Sequence, residues 1–111
     1  PRTLNFGRWT DSMREGLENA DVVIGLRVQK ERLETDVYLD LEKYREQYGI
    51  RQEMLKFAKN DLMIMHPGPV NRGIEMDNSV VSHPRSFILQ QVTNGVFMRM
   101  ALFERLILCK K

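Results

Sequence analysis

The stretch from Asp61 to Gly73 places the strongest constraint on how this chain can fold. Residues Leu62 to His66 are apolar up to the closing histidine, which predicts a short buried strand. The chain then reaches Pro67-Gly68-Pro69, where two prolines remove two backbone donors and fix two φ angles. We therefore expect a stiff loop at the carboxyl end of a strand, with free carbonyl oxygens. Such a loop suits a ligand that donates hydrogen bonds, such as an amide or carbamoyl NH2, and does not suit a phosphate.

The remaining pattern predicts an α/β fold, a partial Rossmann-like parallel sheet flanked by helices. Residues 21–26 form a second apolar run, read as a strand buried on both faces. Ser12 and Glu15 have capping-box spacing, and Pro84 suits the first position of a long final helix. The predicted helices span residues 13–19, 36–48, 52–59 and 84–108, and residues 70–84 form a long loop with one turn near 77–81. The last helix is so apolar that it needs cover from more than one side.

Composition narrows the range of functions. The 111 residues carry 17 basic and 15 acidic side chains, interspersed, for a net charge of +2. This balance predicts no nucleic-acid partner, and no apolar run is long enough to predict a membrane span. Cys109 is the only cysteine, which excludes an internal disulfide and fits a cytoplasmic location. One cysteine and two histidines without ligand spacing predict no zinc site.

Arg27 and Gln29 are the clearest candidates for ligand binding. They follow the predicted strand 21–26 and, two residues apart, point the same way in an extended segment. A guanidinium group binds a carboxylate with two parallel hydrogen bonds, and an amide beside it both donates and accepts. The pair therefore suits an amino-acid ligand. An ordinary surface arginine in an ion pair with Glu31 is the alternative that the residues alone leave open.

Other polar residues have simpler interpretations. His66 is interpreted as a histidine that caps a strand end and hydrogen-bonds to nearby backbone, rather than as a general base. His83 reads as a structural or solvated loop residue. Arg72 and Glu75 lie on the long loop, where Arg72 either neutralises a ligand or is a solvated charge. Gly95 in the final helix indicates close approach of another backbone.

Three ordered motifs carry a family resemblance. The segment M-H-P-G-P-V-N-R-G-I-E (65–75), the block L-R-V-Q-K-E-R (26–32) and the helix segment Q-V-T-N-G-V (91–96) with R-M-A (99–101) resemble those of aspartate carbamoyltransferases. Residues 1–4, P-R-T-L, resemble a turn of the same family. The resemblance implies transfer of a carbamoyl group from carbamoyl phosphate to the amino group of L-aspartate, as in pyrimidine synthesis, without a cofactor.

The resemblance also assigns residues. Arg27 and Gln29 match positions that bind L-aspartate, and Gly68 and Pro69 match positions whose carbonyls hold the carbamoyl group. It implies no metal and no catalytic side chain in this chain, and His66 is not the family's carbonyl-polarising histidine. Ornithine carbamoyltransferase is the related alternative. That family typically has a cysteine after the loop histidine, where this chain has Pro67, and Arg27 would repel a cationic substrate.

The same resemblance bears on domains and partners. We expect residues 1–111 to be the C-terminal part of the L-aspartate-binding domain, without the carbamoyl-phosphate-binding domain, and therefore inactive alone. The expected partners are the rest of the carbamoyltransferase chain, a homotrimer of full-length chains, and dihydroorotase or regulatory subunits. A non-catalytic binding or assembly module that keeps the fold is the alternative from a different class.

Overall fold

The computed structural model of the protein describes residues 7–29 and 40–108, and its centre is a parallel strand pair. Strand β1 (Val22–Ile24) pairs with β2 (Met63–Met65), with Val23 opposite Ile64. A third segment joins beyond β2, because Ile64 donates to the Arg85 carbonyl and Phe87 donates to the Ile64 carbonyl. The predicted α/β class with a small parallel sheet, flanking helices and a long last helix is confirmed.

Both strands are shorter than predicted. Leu62 and His66 flank β2 and are fully buried, but neither belongs to the strand. The prediction that residues 21–26 are buried on both faces was wrong, because Val22 and Ile24 are 38% and 55% exposed. Among the described residues, β1 pairs with β2 alone, so it is an edge strand with a face open to solvent.

The N-terminal helices follow their caps. Helix α1 (Met13–Leu17) begins after Ser12, whose side chain accepts from the Glu15 amide, so this part of the predicted capping box is confirmed. Helix α2 (Leu41–Tyr48) begins after Asp40, which accepts from two amides of the first turn. The start of the predicted helix at 36–39, and with it Tyr38, lies outside the described residues. The segment predicted as helix 52–59 is a 3₁₀ helix, Gln52–Phe57.

The last two helices complete the described chain. Helix α3 (Asn78–Val81) is the turn predicted near 77–81. Helix α4 (Ile88–Leu108) begins four residues later than predicted, because residues 85–87 pair with β2 instead of entering the helix. No helix in the described ranges is long and apolar enough to cross a membrane.

The apolar core lies between β2 and the helices that surround it. Seven of its buried side chains form one cluster: Ile50, Leu55, Leu62, Ile64, Met76, Val80 and Ile88. The loop that follows β2 therefore lies next to this buried cluster.

Candidate functional site

The predicted ligand-binding residues follow the carboxyl ends of β1 and β2. Because these strands are parallel, Arg27 and Gln29 lie at the same edge of the sheet as the loop Pro67–Pro69, namely the edge formed by the carboxyl ends of the strands. We call this loop the carbonyl loop. The amide of Gly25 donates to the Met65 carbonyl at 2.9 Å and extends the strand pairing toward this edge. Gly25 has no space for a side chain, since a Cβ would lie 2.8 Å from Met76 Cε and 3.1 Å from His66 Cδ2.

The carbonyl loop has the character that its sequence predicted. Gly68 has a φ of +71°, which favours glycine, and the Gly68–Pro69 peptide bond is cis. No residue in the described ranges donates a hydrogen bond to the carbonyl oxygen of Gly68 or Pro69. Both oxygens therefore remain available to accept hydrogen bonds from a ligand.

A cleft of about 680 Å³ opens beside the carbonyl loop. Gly68 and Pro69 line it together with residues 81–83, Ser86 and the first turns of α4. Arg72 also lines this cleft, exposed, and donates to the Asn78 side chain at 3.2 Å. Arg27 and Gln29 do not line it. They lie on the β1 side of the same edge, with Arg27 half-buried and Gln29 exposed.

Asn71 connects the two predicted binding segments. Its side-chain amide donates to the carbonyl of Val28 at 3.0 Å, and Val28 stands between Arg27 and Gln29. This bond joins residues that are 43 positions apart in the chain. Sequence reasoning missed Asn71, because a lone asparagine in a loop gives no signal of such a distant partner.

His66 is buried and bonded to the loop that follows it. Its Nδ1 accepts from the Gly68 amide at 2.9 Å, which matches the predicted capping histidine. Its own backbone amide donates at 2.8 Å to Gln91 Oε1 on α4. Because Nδ1 is an acceptor, a neutral imidazole carries its proton on Nε2. His83 also has a structural contact, since its Nδ1 accepts from the Arg85 amide at 3.2 Å.

Glu75 was missed as a site residue, because sequence reasoning placed it on a loop beside Arg72 and gave it no buried role. The structure buries it to 3% exposure. Its Oε1 accepts from the Asn71 backbone amide at 2.5 Å and lies 3.4 Å from His66 Nε2, without hydrogen-bond alignment to that nitrogen. Glu75 Oε2 is buried and accepts no hydrogen bond within the described part of the chain.

The phenol of Tyr44, on α2, lies close enough to Glu75 to be affected by its charge. Burial, and then the nearby Glu75 carboxylate and Tyr48, raise the pKa of the Tyr44 phenol. Both tyrosines line a second cleft of about 430 Å³ together with Glu75 and residues of β1. Tyr48 is 41% exposed, whereas Tyr44 is half-buried. In residues 7–29 and 40–108, no cluster of three or more His, Cys, Asp or Glu could hold a metal ion.

Comparison with known proteins gives a consistent result. The family described as aspartate/ornithine carbamoyltransferase, Asp/Orn binding domain, matches residues 5–106. The aspartate carbamoyltransferase catalytic subunit of Legionella pneumophila (strain Lens) is 58% identical over 107 residues, which is 96% of this chain and 36% of that protein. The corresponding subunit of Acetivibrio thermocellus is 52% identical over 82% of this chain and 29% of its own length.

A solved structure supports the same comparison. Aspartate transcarbamoylase from Trypanosoma cruzi, in complex with carbamoyl aspartate and phosphate, superposes with a TM-score of 0.68 at 30% identity. The match covers 85% of this chain and 28% of that one. The chain thus spans about a third of the length of these curated relatives.

Proposed function

We infer that this chain, which belongs to the aspartate/ornithine carbamoyltransferase family through its Asp/Orn binding domain, supplies the L-aspartate side of a carbamoyl-transfer site. The proposed reaction moves the carbamoyl group of carbamoyl phosphate to the α-amino group of L-aspartate. The amino nitrogen attacks the carbamoyl carbon, the bond to the phosphate oxygen breaks, and N-carbamoyl-L-aspartate and phosphate leave. The nitrogen loses a proton as the new bond forms, and the leaving phosphate takes up that proton.

Four residues carry the proposal. Arg27 would bind a carboxylate of L-aspartate with its guanidinium fork, and Gln29 would orient the substrate beside it. The carbonyl oxygens of Gly68 and Pro69 would accept hydrogen bonds from the carbamoyl NH2. These groups hold the two reactants in position, and positioning is a major source of rate acceleration in transfers of this kind.

One observation supports this arrangement most directly. The bond from Asn71 Nδ2 to the Val28 carbonyl holds the Arg27–Gln29 segment against the loop that carries Gly68 and Pro69. Two segments with opposite chemistry, one cationic and one offering carbonyl oxygens, therefore meet at one sheet edge. An amino-acid carboxylate and a carbamoyl NH2 are the complementary ligand groups.

Aspartate is preferred over ornithine as the substrate. The relatives named above are aspartate carbamoyltransferases, and their identity to this chain is 52–58%. The chemistry agrees, because the positive charge of Arg27 attracts the side-chain carboxylate of aspartate and repels the ammonium group of ornithine.

The groups that bind phosphate and stabilise the developing oxyanion would come from outside these 111 residues. We therefore propose that the chain is the C-terminal part of an L-aspartate-binding domain and is inactive alone. Its proposed partners are the rest of a carbamoyltransferase chain in a cytoplasmic homotrimer, with dihydroorotase or regulatory subunits as further candidates.

A chimera tests the proposal. Residues 5–106 would replace their counterpart in the Legionella pneumophila catalytic subunit, and carbamoyl-product formation would be measured with L-aspartate and with L-ornithine. We expect activity with aspartate within about tenfold of the parent subunit and none with ornithine. A folded chimera without aspartate activity, or with a preference for ornithine, would contradict the proposal. Carbamoyl-aspartate formation by the isolated chain would contradict the expectation that it is inactive alone.

A further inference from the structure

The buried carboxylate of Glu75 contacts two residues, Asn71 and His66, and each of them is bonded to one of the two proposed binding segments. One of its oxygens, Oε1, accepts from the Asn71 backbone amide and lies 3.4 Å from His66 Nε2, an electrostatic contact without hydrogen-bond geometry. Both residues of the Glu75–His66 pair are nearly inaccessible, with exposures of 3% and 0%. A carboxylate in such surroundings is costly to bury, because it gives up strong hydration.

The first branch reaches the carbonyl loop. The acceptor role of His66 Nδ1 toward the Gly68 amide places the imidazole proton on Nε2, the nitrogen that faces Glu75. The negative carboxylate favours this tautomer and this ring orientation. The imidazole in turn fixes the amide of Gly68, and with it the Pro67–Gly68 peptide plane, which directly precedes the Gly68 carbonyl.

The second branch reaches the arginine segment. Glu75 Oε1 holds the Asn71 backbone amide at 2.5 Å, and the side chain of the same asparagine donates to the Val28 carbonyl at 3.0 Å. Loss of the Glu75 contact would free the Asn71 backbone and loosen its hold on the chain between Arg27 and Gln29.

The incomplete hydrogen bonding of the Glu75 carboxylate supports a role for this residue beyond folding. Within the described residues its second oxygen, Oε2, is buried without a hydrogen bond, although buried polar atoms in proteins are almost always bonded. The two groups that this carboxylate contacts, the Asn71 amide and the His66 ring, account for its presence in a buried position.

We propose that Glu75 is a positioning residue that aligns both halves of the site, the carbonyl loop through His66 and the Arg27–Gln29 segment through Asn71. The proposal rests on the proposed function for its kinetic consequences. It does not rest on that function for the structural linkage, which exists in the chain itself.

The kinetic test uses the chimera with Glu75→Gln, which keeps the side-chain size and removes the charge. Misplaced reacting groups cost large factors in rate, so we expect kcat to fall about tenfold or more and KM for L-aspartate to rise severalfold. Glu53→Gln is the matched control, because Glu53 is exposed and paired with Arg51, and both constants should stay within about twofold.

Asn71→Ala separates the two branches. Alanine keeps the backbone amide that Glu75 accepts from and removes only the bond to Val28. We expect KM for L-aspartate to rise severalfold while kcat stays within about twofold, since the carbonyl loop keeps its support. Unchanged kinetics in Glu75→Gln, or an equal fall of kcat in Asn71→Ala, would overturn the proposal.

An NMR experiment distinguishes failure of this proposal from failure of the proposed function. In the 111-residue chain, ¹⁵N NMR of the His66 ring reports its tautomer, and the Gly68 amide resonance reports its hydrogen bond. Glu75→Gln should shift both, and Glu53→Gln should shift neither. If the chimera makes no carbamoyl-aspartate, the function fails while these shifts still support the linkage. If Glu75→Gln leaves both resonances in place, the linkage is overturned.

Discussion

The region around the carbonyl loop and the helix α4 differ in burial: the first buries its apolar side chains within the chain, and the second leaves most of them exposed. Near the loop, Leu62, Ile64 and Met76 are fully buried, and His66 Nδ1 and the side-chain amide of Asn71 bond to partners within the chain. On α4 only Ile88 is buried, whereas Phe97 and Phe103 are 62% and 64% exposed. The comparison indicates that the chain contains its own support for the carbonyl loop but leaves an apolar helix face exposed, which favours cover from elsewhere.

The largest expected effect tests whether stability resides in the loop region. Ile64→Ala removes a side chain with 0% exposure and should lower the free energy of unfolding by about 2–5 kcal/mol. Leu106→Ala on α4 is the matched deletion, and its 67% exposure predicts a change below about 0.5 kcal/mol. Urea unfolding of the chain measures both. Equal losses would show that α4 is as well packed as β2.

Two glycine-to-alanine variants test how closely the backbone is packed at the end of α2 and in α1. A Cβ on Gly49 would lie 2.5 Å from the Arg45 carbonyl oxygen and 3.0 Å from that of Ile74, so Gly49→Ala should cost about 1–3 kcal/mol. Gly16→Ala meets only ordinary contact at 3.7 Å and should be neutral or stabilising by up to about 1 kcal/mol. Thermal unfolding of both variants checks this order, and a tolerated Gly49→Ala would contradict the close packing of α2.

The exposed helix predicts self-association of the isolated chain. Changing Phe97 and Phe103 together to serine removes two large apolar side chains from α4, and the dimer dissociation constant should rise at least about tenfold. Gln90→Ser with Asn94→Ser on the same helix is the polar control and should leave association unchanged. Sedimentation across a concentration series decides between them. A strictly monomeric parent chain would refute the idea that this face needs cover.

The smallest expected effect concerns Tyr44. Burial first, and then Glu75 and Tyr48, raise its pKa, so the folded state holds the phenol proton more tightly than the unfolded chain. The stability from this group is present below its unfolded pKa, about 10, and is lost as pH rises through the raised value. Glu75→Gln should lower the Tyr44 pKa in an NMR titration but leave it above its ordinary value, because burial is the larger cause. No change would place Glu75 away from α2.

Local sequence signals predicted much of the fold. Ser12 as a cap, the turn near 77–81 and the stiff Pro67-Gly68-Pro69 loop are each encoded by neighbouring residues, and each is present. Gly49 ends α2 with a φ of −67°, so its glycine is not required by a left-handed turn. A Cβ there would meet two backbone carbonyls, that of Arg45 in the same helix and that of Ile74, and no local pattern reveals the approach of Ile74.

Features that depend on distant partners were not predictable. The start of α4 was misplaced because residues 85–87 pair with Ile64, more than 20 positions earlier in the chain. The roles of Asn71 and Glu75 were missed for the same reason. Their contacts arise only when the segments after β1 and β2 come together. The binding roles of Arg27, Gln29, Gly68 and Pro69 stay predictions.

The most direct measurement of the central claim is the KM for L-aspartate of the chimera with Arg27→Ala, compared with Arg8→Ala. Arg8 is an exposed arginine paired with Glu15, remote in sequence from the site, and its variant should behave as the parent. We expect Arg27→Ala to raise KM about a hundredfold or more, because a bidentate charge-assisted contact is lost. A KM for Arg27→Ala within about twofold of the Arg8→Ala value would contradict the assignment of this edge as the aspartate site.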